Sequence, residues 1–394
     1  MALSILFPLS VWPTSLPLHL SLAIIFLLSL LLLLLLLTLY RLFLHPLAHI
    51  PGPPLYALSS LPILHHYTVS STPLLHALPP LHAKYGPVIR IAPNEVHLSD
   101  PAHYDTIYSM GTKYQKDAGF YKPMEGPVAT PILLTILSGE EHRMRRKMLT
   151  PFFSRGAVLK VEGMVWEKAG RLCDVMEGGM GSAAGGSGME LWDAYKAFRA
   201  VAIDVITEYA YARCWGMLDQ APDYGNWYPE AIRSVQTMFP WLQAVPGLAA
   251  VFGAIPEWLK VLVFPPYRRW KASLDAVAIA VGEVRKEIAE GTQRTKRRTI
   301  MHELIDPLPG LGGERVQPLG DAAVFADAVN VTGAGTETTG ATKERAVYEV
   351  LSHREVYAAL ADELRGAFPD PREMRLTALE RLPILTGVIK EALR

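Results

Sequence analysis

Two cysteines, Cys173 and Cys214, stand in 394 residues, too few to staple a disulfide-rich secreted scaffold. That scarcity suits a protein facing the cytosol. A charge bias is missing as well. Lys and Arg number 38 and so do Asp and Glu, so no bulk field selects nucleic acid, and no nucleic-acid partner is expected. Strand signals are few, and no segment repeats. The largest gap lies at the start, where no Lys, Arg, Asp or Glu precedes Arg41.

What fills that gap is apolar. From Leu20 to Leu39 the run LSLAIIFLLSLLLLLLLLTL has only Ser and Thr as polar residues. A helix of that length rises ~30 Å, the thickness of a bilayer's hydrocarbon core. A cleaved signal peptide would show a basic start, a shorter apolar core and a small-residue cleavage site. An uncleaved transmembrane anchor over 20–40 is therefore expected, behind a short segment 1–19. Pro8, Pro13 and Pro17 argue against a helix from Met1. The first charges, Arg41 and Lys84, follow the span, which puts the bulk of the chain in the cytosol. Next comes a proline-rich linker, 41–54, ending in HIPGPP, read as a semi-rigid spacer. One domain is expected over 55–394.

Within Tyr85–Asp100 (YGPVIRIAPNEVHLSD), Val88, Ile89 and Ile91 form strands readily, and Pro93-Asn94 signals a turn before Val96 and Leu98. A hairpin is expected. Elsewhere helical spacing dominates, as at Leu191, Tyr195, Phe198, Val201 and Val205. The glycine-rich stretch Gly178–Gly188 reads as a flexible loop between helices. The fold class is mainly α with a small β-sheet.

Gly333–Gly340 reads GAGTETTG. Gly335 and Gly340 have the spacing of a phosphate-binding loop, but that loop needs Lys and then Ser or Thr next. Here Ala341 and Thr342 follow. The G-x-G-x-x-G dinucleotide pattern fails at Thr338. The preceding AAVFADAVNV has helical periodicity, so a long helix is expected through this stretch to Val347. Glycines inside it cost roughly 1 kcal/mol each against Ala. Thr338 can bond back to the carbonyl of Ala334. Two readings stand: a local groove edged by an acid and an alcohol, or a tight helix crossing without chemistry.

The six residues Ala334–Thr339 resemble the oxygen-binding helix of cytochrome P-450 monooxygenases, A/G-G-x-D/E-T-T/S. The resemblance implies a groove at Ala334 and Gly335 that admits dioxygen beside haem iron. It makes Thr338 and Glu337 the pair that delivers protons for O–O cleavage. Glu391 and Arg394 match that family's E-x-x-R pair. HRMRRK (His142–Lys147) is by default a solvated helix face, yet His142 and Arg146 fit the family's W/H-x-x-x-R pattern, which binds haem propionates. A guanidinium grips a carboxylate in bidentate fashion. Arg143, Arg145 and Lys147 would then help form a positive face for an acidic reductase. IPGPP and YGPVIRIAPNEVHLSDP resemble fungal members. The resemblance thus implies the cytochrome P-450 fold on an N-terminal transmembrane helix. It also implies heme b, O2, an NADPH-cytochrome reductase partner and an apolar substrate, such as a secondary metabolite. The membrane would be the endoplasmic reticulum.

That family's iron is held by a cysteine in F-x-x-G-x-R-x-C-x-G, downstream of E-x-x-R, and this sequence ends at Arg394. The fold is therefore expected to be C-terminally incomplete, and the chain an N-terminal portion, inactive alone. Cys214-Trp215-Gly216 supplies C-x-G, but Thr207, Ala210 and Ala212 occupy the Phe, Gly and Arg positions. Both cysteines are read as small buried residues, Cys214 within a helical run Asp204–Gly216, so no metal ligand is assigned. The alternative is a complete, non-catalytic relative that binds a lipophilic ligand or the reductase. Met238–Val263 is read first as core, second as the roof of a substrate pocket. Tyr114–Ile136 is a candidate loop over the haem, and Thr295–Arg298 a solvated loop.

Overall fold

The computed structural model describes residues 17–109, 111–128, 130–183, 193–245, 247–292, 297–308 and 317–394. Contacts gather into two units, Met1–Tyr114 and Gln115–Arg394.

In the first unit, α1 (Leu18–Leu39) starts directly after Pro17 and buries none of its side chains. A π-helical turn, Tyr40–Leu44, extends it. Leu18–Leu44 runs 27 residues, contains an 18-residue window of mean hydropathy 3.2, and is long enough to cross a bilayer. Pro8 and Pro13 lie outside the described residues. The hairpin forms where its turn signal stood: β1 (Val88–Ala92) pairs antiparallel with β2 (Glu95–Leu98), Val88 opposite Leu98. Ile89 and Ile91 are buried with Leu78, which lies on α2 (Leu74–Tyr85). The linker is more than a spacer. The amide of Arg90 donates to the Pro51 carbonyl at 2.8 Å, and a Cβ on Gly52 would fall 2.4 Å from the Arg90 carbonyl oxygen. Only glycine tolerates that approach.

The second unit is helical. In chain order its main elements are α3 (Gly139–Leu149), α4 (Glu162–Ala183), α5 (Ala194–Tyr211), α6 (Trp227–Gln236), α7 (Tyr267–Glu290), α8 (Ile300–Ile305), α9 (Asp321–Ser352), α10 (Arg354–Ala367) and α11 (Pro383–Ala392). The expected loop at Gly178 is helical as far as Ala183, and 184–192 lies outside the described residues. On α5 nearly every residue from Arg199 to Tyr211 is buried. Such all-round burial marks a central helix, not the one-sided stripe that the spacing suggested. Its Ile206, Tyr209 and Tyr211 join Val277 and Val284 of α7, Ile300 and Leu304 of α8, and Val324 and Val331 of α9 in one core.

Three expectations are corrected. The helix α5 stops at Tyr211, where Ala212 turns left-handed with φ 58°, so Cys214 lies beyond it. Both cysteines are exposed. Met238–Val263 forms three short helices, Phe239–Ala244, Leu248–Ala254 and Glu257–Val263, with Trp241, Val251, Trp258 and Leu262 all exposed. Phe239, Phe252 and Val261 pack against the core, so the segment is part core and part surface, with too many apolar residues on too short helices to hide them all. Finally, Arg298 is partly buried and donates to the carbonyls of His302 and Asp306, so this end of the Thr295–Arg298 stretch is bound, not solvated. Thr295 and Lys296 are outside the described residues.

Candidate active site

The expected long helix forms. α9 is α-helical without interruption from Asp321 to Ser352. Its threonines satisfy themselves along the axis: the hydroxyls of Thr332, Thr336, Thr338 and Thr342 each donate to the carbonyl four residues back, at 2.7 to 2.9 Å. The Thr338 bond, to Ala334, is 2.8 Å.

α9 has two contrasting sides in GAGTETTG. One meets α5. A Cβ on Gly335 would lie 2.7 Å from the Ile206 side chain, and one on Gly340 would lie 2.6 Å from Cγ of Arg199. These glycines make a close helix crossing, the second of the two readings of this stretch. The other side carries Ala334, Thr338 and Thr339, all exposed.

Glu337 belongs to the α5 side. Arg199 places Nε 3.0 Å from both its carboxylate oxygens and Nη2 2.7 Å from Oε1. Nη1 of Arg199 reaches Glu344 at 2.8 Å and the Tyr195 carbonyl at 3.1 Å. The guanidinium lies 3.6 Å over the Tyr195 ring, a cation–π contact. Burial works against the Arg199 charge, but its bonds to Glu337 and Glu344 outweigh this and raise its pKa.

A second buried pair ties α3 to α9. Arg145 Nε sits 2.7 Å from Asp327 Oδ2, and Oδ1 accepts from the Leu133 amide at 3.0 Å. The other Arg145 nitrogens take the carbonyls of Pro131 and Ala323. Arg145 is therefore a structural brace rather than part of an exposed docking face. Arg143, Arg146 and Lys147 remain exposed. With α3 fastened to α9, His142 and Arg146 are held at a fixed place beside it. Desolvation keeps His142 below its ordinary pKa, helped by the charges of Lys116 and Arg146. Lys116, which no sequence motif marks, donates from Nζ to the Leu134 carbonyl at 2.6 Å. This corner is basic.

Glu391 and Arg394 pair at 3.4 Å, both largely exposed. Cys214 lines a hollow of about 340 Å³ with Trp166, Lys168, Arg171 and Asp204, to which α9 contributes nothing. Although Cys214 is exposed as a residue, partial desolvation within the hollow raises its pKa, and the Asp204 charge adds to this. It is a thiol, not a ready thiolate.

Arg199 and Asp327 are the residues that the motifs did not flag. Each is a lone charge inside an apolar helical run, and such a charge needs a buried partner. That was the available signal.

Comparison with known proteins bears on this arrangement. The family model for cytochrome P450 matches residues 51–394. The cytochrome P450 monooxygenase orf6 of Eupenicillium brefeldianum is 31% identical, over 91% of this chain and 68% of its own. The tryptophan 6-hydroxylase fscE of Fusarium equiseti is 29% identical, over 90% and 67%. The cytochrome P450 monooxygenase TRI4 of Trichoderma arundinaceum is also 29% identical, over 90% and 66%. This chain thus spans about two thirds of the length of these relatives. A match across both the basic helix α3 and the oxygen-helix motif of α9 leaves one assignment, and the chain belongs to the cytochrome P450 family.

Proposed function

We propose that the protein is a membrane-anchored, haem-dependent monooxygenase of an apolar small molecule, in fungal secondary metabolism. Its anchor would lie in the endoplasmic reticulum, with the folded units facing the cytosol. An NADPH-cytochrome reductase would deliver the electrons. The balance is RH + O2 + NADPH + H⁺ giving ROH + H2O + NADP⁺. The observation that carries this reading is the exposed Ala334–Thr338 face of α9, in a chain that matches the family from residue 51.

The residues present suit a haem b. His142 and Arg146, one helical turn apart on α3, offer donors to its propionates, and a guanidinium is the natural grip for a carboxylate. Lys116 adds a second positive charge, beside that of Arg146, to the same corner. Ala334 leaves room on α9 that a larger side chain would fill. When bound, the haem iron supplies the centre at which O2 is activated. Neither Cys173 nor Cys214 is assigned as its ligand.

The chain's own part is proton supply and shape. Glu337, 21% exposed, is bonded to Arg199 and keeps an edge toward water, from which it would relay protons. The Thr338 hydroxyl rests on the Ala334 carbonyl and can rotate from it to pass a proton across the open face. Arg143 and Lys147 present positive charge for an acidic reductase. The apolar surface of Met238–Val263 suits the roof of a lipophilic substrate's pocket.

The test is isotopic. Membranes carrying the full-length protein, haem, reductase and NADPH are given ¹⁸O2 and a lipophilic extract of the producing cells. One ¹⁸O atom in a hydroxylated product supports the reading. Label found only in water and peroxide, with every fraction of the extract, contradicts it.

A further inference from the structure

Arg90 is 2% exposed, and its bonds are all to neutral groups. Nη1 donates to the Arg41 carbonyl and Nη2 to the Pro93 carbonyl, each at 2.8 Å. Its Nε is buried without a partner among the described residues. Arg41 in turn donates from Nη1 to the Leu58 carbonyl. Neither guanidinium forms an ion pair with a described carboxylate. No Asp or Glu occurs before Glu95. Desolvation and the neighbouring Arg41 charge push the Arg90 pKa down, so two like charges share one corner.

Burying a charge with no opposite charge is costly, and proteins pair such groups. The partner is missing from this stretch of chain, while the position of the corner suggests its source. Arg41 lies in the π-helical turn that ends the apolar helix, at the depth of headgroups if that helix spans a bilayer. The anion found there is a phosphodiester, and a guanidinium matches its geometry and charge.

We propose that Arg41 and Arg90 form a binding site for the phosphate of an anionic phospholipid where the chain leaves the membrane. The proposal rests on reading Leu18–Leu44 as a span. Arg41, partly exposed, makes the contact. Arg90 is its positioning residue, holding the Arg41 backbone to the hairpin and adding field from within. Pro51 and Gly52 pack on the Arg90 backbone from the linker, fixing the strand that carries the buried guanidinium.

The experiment takes the full chain in mild detergent, after extraction from membranes, and counts bound phospholipid by native mass spectrometry. Wild type should retain phospholipid, anionic species over zwitterionic. Arg41→Gln should retain about tenfold less, because charge and bidentate geometry are both lost, with Arg41→Lys between them. Arg41→Gln should still sediment with membranes. Equal retention by wild type and Arg41→Gln overturns the site. So does displacement of the lipid by inorganic phosphate alone, which marks a general anion site. Failure of wild type to partition into membranes removes the span reading instead, a separate result. Because Arg90→Gln removes a buried brace and can unfold the unit, the Arg41 variants decide the outcome.

Discussion

Arg199 and Glu337 form a two-pronged ion pair across the α5–α9 crossing, Nε 3.0 Å from both carboxylate oxygens and Nη2 2.7 Å from one. The acid of the oxygen-helix motif is therefore anchored away from the exposed face that carries Thr338. Arg199 is 4% exposed and Glu337 21%, so the pair sits largely out of water.

Removing one partner of a buried pair leaves the other charge stranded, at about 3–5 kcal/mol. Arg199→Gln should lose stability on that scale in urea unfolding. Glu344→Gln should lose about 1 kcal/mol or less, because Glu344 is 39% exposed and Arg199 keeps Glu337.

Gly335→Ala and Gly340→Ala each place a methyl where the structure offers 2.7 and 2.6 Å. Overpacking of this kind costs roughly 1–3 kcal/mol, more than the helix propensity that Ala returns. Gly333→Ala is the control, since its Cβ would meet Ile232 at an ordinary 3.5 Å. Thermal unfolding should lower the midpoint for the first two and not for the third.

The basic run on α3 separates by role. Arg145→Gln should cost about 3–5 kcal/mol by stranding Asp327, whereas Arg143→Gln, exposed, should stay within about 0.5 kcal/mol. Arg146→Gln should leave stability equally unchanged and weaken haem binding, read by absorbance titration. Loss of stability in Arg146→Gln comparable to Arg145→Gln would contradict the division.

Acid should destabilise the fold through His302. It is 2% exposed, and desolvation holds its pKa below the ordinary 6.5, with Arg298 and Arg213 adding to this and Glu287 and Asp306 opposing. As pH falls through 6.5 the unfolded chain takes up the proton first, so stability present above that pH is lost toward the folded value. The unfolding midpoint should drop between pH 7.5 and 5.5. His302→Gln should flatten that drop.

The parts of the fold legible in the sequence are local ones. The apolar run, the hairpin with its Pro93-Asn94 turn and the long helix around Thr338 each follow from neighbours in the chain. The motif also placed the chain in its family. The HRMRRK run was harder, because five bases in six positions look alike until packing chooses one. The choice has a physical reason. Arg145 lies one turn before the buried Leu149, on the inward face, and Asp327 waits opposite. Both glycine readings concerned α9, but which side each glycine faces depends on α5, which lies far away in sequence. Met238–Val263 misled because apolar composition speaks for burial only when enough other surface exists to cover it.

The proton-delivery role proposed for Thr338 is tested most directly by where the electrons of NADPH go. Haem-loaded protein with reductase is supplied with NADPH and substrate, and hydrogen peroxide is counted against NADPH consumed. In Thr338→Ala the hydroxyl proposed to pass protons is gone, so a larger share of electrons should leave as peroxide, with NADPH consumption continuing. Thr338→Ser should restore the wild-type ratio. An unchanged peroxide share in Thr338→Ala, with product formed at the wild-type rate, would contradict the role given to Thr338.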